Sequence, residues 1–152
     1  MNRCQEIADA YHGVTIKGAW YGPTVAELLA RISPELAIKA PAPGAHTIAE
    51  LLQHLLLWNE RVRRTSEGSP MPKWEAEKEW AEPGIPWNEL VGRWNKSRDL
   101  LEERMRNFPV EDLGKQIPGR NYPYEVLLHG VVQHTIYHGG QIAMVLSIVK
   151  GK

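Results

Sequence analysis

The stretch from about Pro123 to Val149 places the strongest constraint on what this chain can fold into. Leu127, Val131, Ile142, Val145, Leu146 and Val149 fall within roughly a third of the circumference of a helix, so the spacing predicts one continuous helix with a single apolar face. Some 27 residues at 1.5 Å each make a rod about 40 Å long. A face of that length needs other helices to cover it, and the sequence offers them. Thr47-Ile48-Ala49-Glu50 is a capping box, in which hydroxyl and carboxylate satisfy free backbone N–H groups, and it opens a predicted helix to about Ser66 before Gly68 and Pro70. Trp87, Leu90, Val91, Trp94, Leu101, Met105 and Phe108 keep helical spacing over about Pro86 to Phe108, where Pro109 stops the run. Cys4 to Tyr11 can form a further helix, Thr24-Val25-Ala26-Glu27 repeats the capping box for a helix to about Ile32, and Ser33-Pro34-Glu35 reads as another start. No segment shows convincing strand alternation. Four main helices without strands predict an all-α helical bundle.

At 152 residues the chain has the length of one domain, residues 1–152, able to bury roughly 70% of the surface it exposes when unfolded. Eighteen Lys and Arg balance eighteen Asp and Glu, which argues against nucleic acid or an anionic membrane as partner, since both are held mainly by uncompensated basic charge. Cys4 is the only cysteine, so neither a disulfide framework nor a zinc site built on several thiolates is expected, and Cys4 itself reads as an inert or surface thiol. MNRCQEIADAYHG carries no apolar stretch of signal-peptide kind, and runs such as Leu55 to Trp58 fall far short of a membrane span of about 20 residues. A cytoplasmic protein is the expectation. Glu67 to Pro86, with four prolines and the tryptophans Trp74 and Trp80, reads as an ordered surface loop, and Arg61, Arg63 and Arg64 as a solvated helix face.

Among six histidines, His134 and His138 lie four apart, about 40° around the helix and about 6 Å along it, so two imidazoles share one face and can chelate one ion. That face is the apolar one. A buried imidazole needs a partner, because an unsatisfied polar group costs roughly 1–3 kcal/mol, and coordination would supply one to both rings. Gln141 sits on the same face as a hydrogen-bonding neighbour of the ligands. A facing helix would supply the third ligand, and His54, at the edge of the stripe Ile48, Leu51, Leu55, Trp58 and Val62, is the best placed, with Trp58 one turn on to cover one side. Three histidines leave positions open for water or substrate, the coordination of a catalytic site. Imidazole suits several ions; zinc or nickel is the first choice, with iron or manganese as alternatives. Glu50, one turn before His54, is a capping carboxylate that could also serve as a base. His46 reads as packing ahead of the Thr47 cap, and His12 and His129 as surface or polar-contact residues. Thr135 stands where an H-E-x-x-H protease has its glutamate, and Glu50 to His54 is one residue too long for a di-iron Glu-x-x-His pair.

Three segments, AWYGPTVAELL, PAPGAHTIAELLQHLLLW and LLHGVVQHTIYHGGQIAMV, together resemble the DinB/YfiT-like superfamily over about Trp20 to Leu146. The resemblance implies an up-down-down-up four-helix bundle, a divalent metal held by three histidines, and frequent dimers. On this chain the implied ligands are His54, His134 and His138, with Gln141 in the G-Q-I segment; Gly139 stands where relatives often carry Arg or Ala. It implies no single reaction: a hydrolase or a thiol-dependent transferase acting on a small molecule is one expectation, and a non-catalytic metal- or ligand-binding module of stress response is the other. A homodimer is also expected from the chain itself. Gly139 and Gly140 each cost a helix interior roughly 1 kcal/mol, and on the side away from the histidines they would let a second subunit, or failing that the 67–86 loop, come close.

Overall fold

The computed structural model describes residues 1–73, 75 and 79–151, and among these it contains six α-helices and no strand; Trp74 lies outside the described residues. In chain order they are α1 (Arg3–Thr15), α2 (Val25–Leu29), α3 (Pro34–Ala37), α4 (Ile48–Ser66), α5 (Trp87–Arg106) and α6 (Tyr124–Val149). The starts follow the sequence signals. Thr24 and Thr47 close full capping boxes with Glu27 and Glu50, Asn2 closes one with Gln5, and Ser33 caps α3 ahead of Pro34. Gly68, beyond the end of α4, adopts a φ of +99°, which a residue with a Cβ rarely takes.

Side-chain contacts give the direction of each long helix. Asp9 pairs with Arg106 and His12 with Glu102, so α1 and α5 run oppositely. Asn59 meets Ser97 and Ser66 meets Arg104, so α5 runs with α4 across the long connection between them. Arg3 pairs with Glu125 at the start of both α1 and α6, while His54 faces His134 and Val62 lines a groove with Leu127, which sets α6 against α4. α4 and α1 each pack on both α5 and α6.

The interior is layered. One apolar cluster gathers Leu52, Leu55, Trp87, Leu90, Trp94, Ile142 and Leu146 with α2 and α3; the other gathers Cys4, Ile7, Tyr11, Val62, Leu101, Met105, Leu128 and Val131. Between them three helices carry polar residues at the same height: His54 and Asn59 on α4, Ser97 on α5, His134, Thr135 and His138 on α6. Asn59 donates to Ser97 Oγ at 3.2 Å, Ser97 to the Trp94 carbonyl at 2.9 Å and Thr135 to the Val131 carbonyl at 2.8 Å, so the amide and hydroxyl members of this belt find the partners that burial requires. No described helix is long and apolar enough to cross a membrane.

Two expectations are corrected. Among the described residues it is the short helix α2, not the 67–86 loop, that approaches Gly139, where a Cβ would lie 3.5 Å from Val25 Cγ2, while Gly140 is exposed and a Cβ there would meet nothing within 4 Å. Arg61 is not part of a solvated face, since it pairs with buried Glu79 and lies over the Trp58 ring. The tryptophans spread between core and site: Trp87 and Trp94 are buried, Trp58 and Trp80 stand at the histidines, and Trp20 is 93% exposed.

Gly130, inside α6, meets nothing within 4 Å where its Cβ would be. Gly130→Ala should therefore raise stability by about 0.5–1 kcal/mol through reduced backbone entropy of the unfolded chain, read as a higher urea midpoint at unchanged slope.

Candidate metal centre

Helix period on α6 sets His134 and His138 one turn apart, and the opposed α4 brings His54 to the same height. One ring nitrogen from each of the three lies within 4.8 Å of the other two. His54 and His138 are only 5% and 6% exposed, while His134 is half-buried. Among the described residues no fourth histidine, cysteine or acidic side chain joins the group.

The outer nitrogens decide which inner ones are free. His54 Nδ1 faces the Glu79 carbonyl at 3.3 Å and a Glu79 carboxylate oxygen at 3.5 Å, both acceptors, so the ring proton sits on Nδ1 and the lone pair on Nε2. His138 Nδ1 donates to Gln141 Oε1 at 2.5 Å with the same effect. His54 Nε2 and His134 Nε2 are 3.0 Å apart, while His134 Nδ1 is buried without a partner. Two nitrogens bound at 2.0–2.1 Å to a tetrahedral ion sit about 3.3 Å apart, so the spacing suits one divalent cation between them. Protons do not compete for these lone pairs near neutrality. Burial, followed by the neighbouring His138, lowers His54 to about 4; burial, followed by His138 and His54, lowers His134 to about 3; burial also lowers His138.

Glu79 and Trp80 are the residues that sequence reasoning missed. Glu79 is fully buried; its carboxylate accepts from Trp58 Nε1 at 3.1 Å and pairs with Arg61 while facing His54. Trp80 stacks on the His54 ring at 4.2 Å and 8°, and on His46 at 3.8 Å and 13° on its other side. Together they close the loop over the histidines. A carboxylate behind a ligating imidazole fixes its tautomer and raises its basicity, so Glu79→Gln should weaken divalent-metal affinity roughly 10–100-fold with the fold retained. An unchanged dissociation constant in a metal titration would remove Glu79 from the site.

The other expected residues fall as follows. Gln141 touches His138 as the spacing suggests. Glu50 accepts from the Thr47 N–H at 2.8 Å and stands 3.4 Å from His46 Nδ1, so its partners are at the start of α4. His12 meets Glu102 at 3.1 Å, and His129 is exposed. Cys4 is buried rather than at the surface, and burial first, with the Glu111 and Glu125 carboxylates, raises its pKa, which keeps it an inert thiol. A cavity of about 520 Å³ beside Thr47, Glu50, Trp87 and Leu90 touches none of the three histidines.

An all-helical bundle with a cluster of three inward-facing histidines in its polar belt defines the class: a helical protein able to hold a metal ion between its helices. Residues 23–142 match the DinB superfamily, and the chain belongs to that family. The crystal structure of a conserved protein from Enterococcus faecalis superposes with a TM-score of 0.69 over 100% of this chain and 99% of that one at 17% identity, a likeness of fold. No curated protein matches the chain.

Proposed function

We propose that the chain is a divalent-metal-dependent enzyme acting on a small molecule, with His54, His134 and His138 as ligands and zinc or nickel as the ion. The observation that carries this reading is the donor set: neutral imidazoles turned to one point, two of them held from behind by Glu79 and Gln141, with no fourth ligand among the described side chains. Closed structural sites use four protein ligands, and three leave room for a substrate. When bound, the ion supplies Lewis acidity, polarising a substrate carbonyl and making a water or thiol acidic enough to react near neutral pH. The chain's own part is to orient and to exclude water. Trp80 and Trp58 flank His54, Glu79 and Gln141 fix two ring orientations, and the apolar clusters above and below keep the belt dry. Glu50 serves as base in this reading only by way of His46, the group it faces.

Hydrolysis and thiol-dependent transfer are the two reactions that fit. A screen of esters, amides and thiol adducts on metal-loaded protein tests them, with the metal-free protein as control. Metal-dependent turnover of any class supports the enzyme. A large metal-dependent rise in melting temperature with no turnover would replace it by a binding module. The same reading pairs two chains as a homodimer across the outer side of α6, where Ile136, Tyr137, Met144 and Ile148 are exposed. Light scattering should then give about twice 17.2 kDa, and a value near 17.2 kDa would exclude the pair.

A further inference from the structure

We infer that the groove between α4 and α6 beside His134 is the subsite for one arm of the substrate, and that it takes an uncharged apolar group no larger than about a single ring with a short tail. The inference rests on the metal-centre reading above and adds the chemical class of what that centre meets.

His134, Gly130 and Val126 succeed one another at four-residue spacing along α6, so they line one track that runs about 12 Å from the ligand histidine. Trp58 and Val62 of α4 form the facing wall, and Tyr122 lines the groove with them. The volume of the groove is about 240 Å³, below the 300–1,000 Å³ usual for sites that hold drug-sized ligands. No Lys, Arg, Asp or Glu is among the lining residues. The one polar atom of Trp58 is already spent on Glu79, so its ring offers only an apolar face. A charged group would lose hydration here without gaining an opposite charge, whereas an apolar one gains from burial.

Gly130 is the second and independent sign. It sits in the middle of a long helix, half-buried, at a position where an added Cβ would meet nothing. No packing contact requires the glycine, yet it weakens the helix; what its missing side chain leaves is the floor of the groove. At the head of the track, His134 has an Nδ1 that is buried and unpartnered. Val126 is half exposed, which leaves the far side of the groove open to solvent and gives an entry that does not require Trp80 to move.

The test uses the cobalt(II)-loaded full chain, titrated with acetohydroxamate and benzohydroxamate and followed by the visible absorption of the ion. Both probes bind through the same head group and differ only in the arm. Benzohydroxamate should bind on the order of tenfold more tightly, the size of effect expected for burying one ring. Gly130→Leu, which fills the track, should erase that advantage while cobalt affinity stays as in the parent. On the unaltered protein, 4-carboxybenzohydroxamate should lose the advantage as well, which keeps the test decisive if the leucine variant does not fold. Equal affinities for the first two probes, or an advantage that survives the added carboxylate, would overturn the subsite while leaving the metal centre in place. Failure of the parent to bind cobalt would overturn the metal-centre reading and the subsite with it.

Discussion

His134→Ala protein is expected to lose its divalent metal. Structural zinc sites with four ligands bind with roughly 10–16 kcal/mol, about 3–4 kcal/mol per ligand, so removing one of three should weaken binding on the order of 10²–10³-fold. His54→Ala and His138→Ala should behave alike, because the three nitrogens surround one point. His129→Ala is the control: it is a histidine of the same helix, exposed and outside the group, and its removal should leave metal content unchanged. Metal analysis of the four variants after reconstitution checks this. Equal loading of His134→Ala and parent would contradict it.

The second large effect concerns acid. In the metal-free protein His54 is held near 4 and His134 near 3, whereas both titrate near 6.5 once the chain unfolds. Between pH 6.5 and about 4 the unfolded chain therefore takes up protons that the folded chain refuses, so stability falls as pH falls through this window and is flat above it. Each histidine contributes up to about 1.4 kcal/mol per pH unit, and the pair should cost on the order of 5 kcal/mol by pH 4, enough to unfold a domain of ordinary stability. His134→Leu, which cannot take a proton, should reduce the slope. Urea midpoints of the metal-free protein that stay level from pH 6.5 to 4.5 would show that these imidazoles are not held neutral by burial.

Much of the fold was legible because its signals are local. A capping box spans four residues and a helix face repeats every three or four, so Thr24, Thr47 and the stripes on α4, α5 and α6 announced themselves; those three long helices begin and end within a residue or two of the spans read from spacing, whereas α2 stops at Leu29, three residues before Ile32, and α1 runs on to Thr15, four residues past Tyr11. The histidine trio was legible for the same reason: two members are one turn apart on the buried side of one helix, and the third sits on the apolar edge of another. Gln141 followed from the same count. Glu79 and Trp80 were not legible, because they lie in a proline-rich connection without period and reach His54 across 25 residues of chain. Only the need to bury a tryptophan hinted that this loop turns inward. Gly139 misled on similar grounds. Its spacing showed which side of α6 it faces, but the neighbour on that side is α2, a five-residue helix brought there by tertiary packing. Arg61 looked like its neighbours Arg63 and Arg64 until the partner from the loop was in place; Arg63 instead pairs with Glu67 at the surface.

The central claim is that His54, His134 and His138 bind one ion together through their inner nitrogens. X-ray absorption spectroscopy of the zinc-reconstituted protein measures this directly. The account predicts three imidazole ligands at about 2.0–2.1 Å, with the remaining coordination supplied by a light atom and no sulfur. A spectrum with one imidazole or none, or with a thiolate at about 2.3 Å, would contradict it.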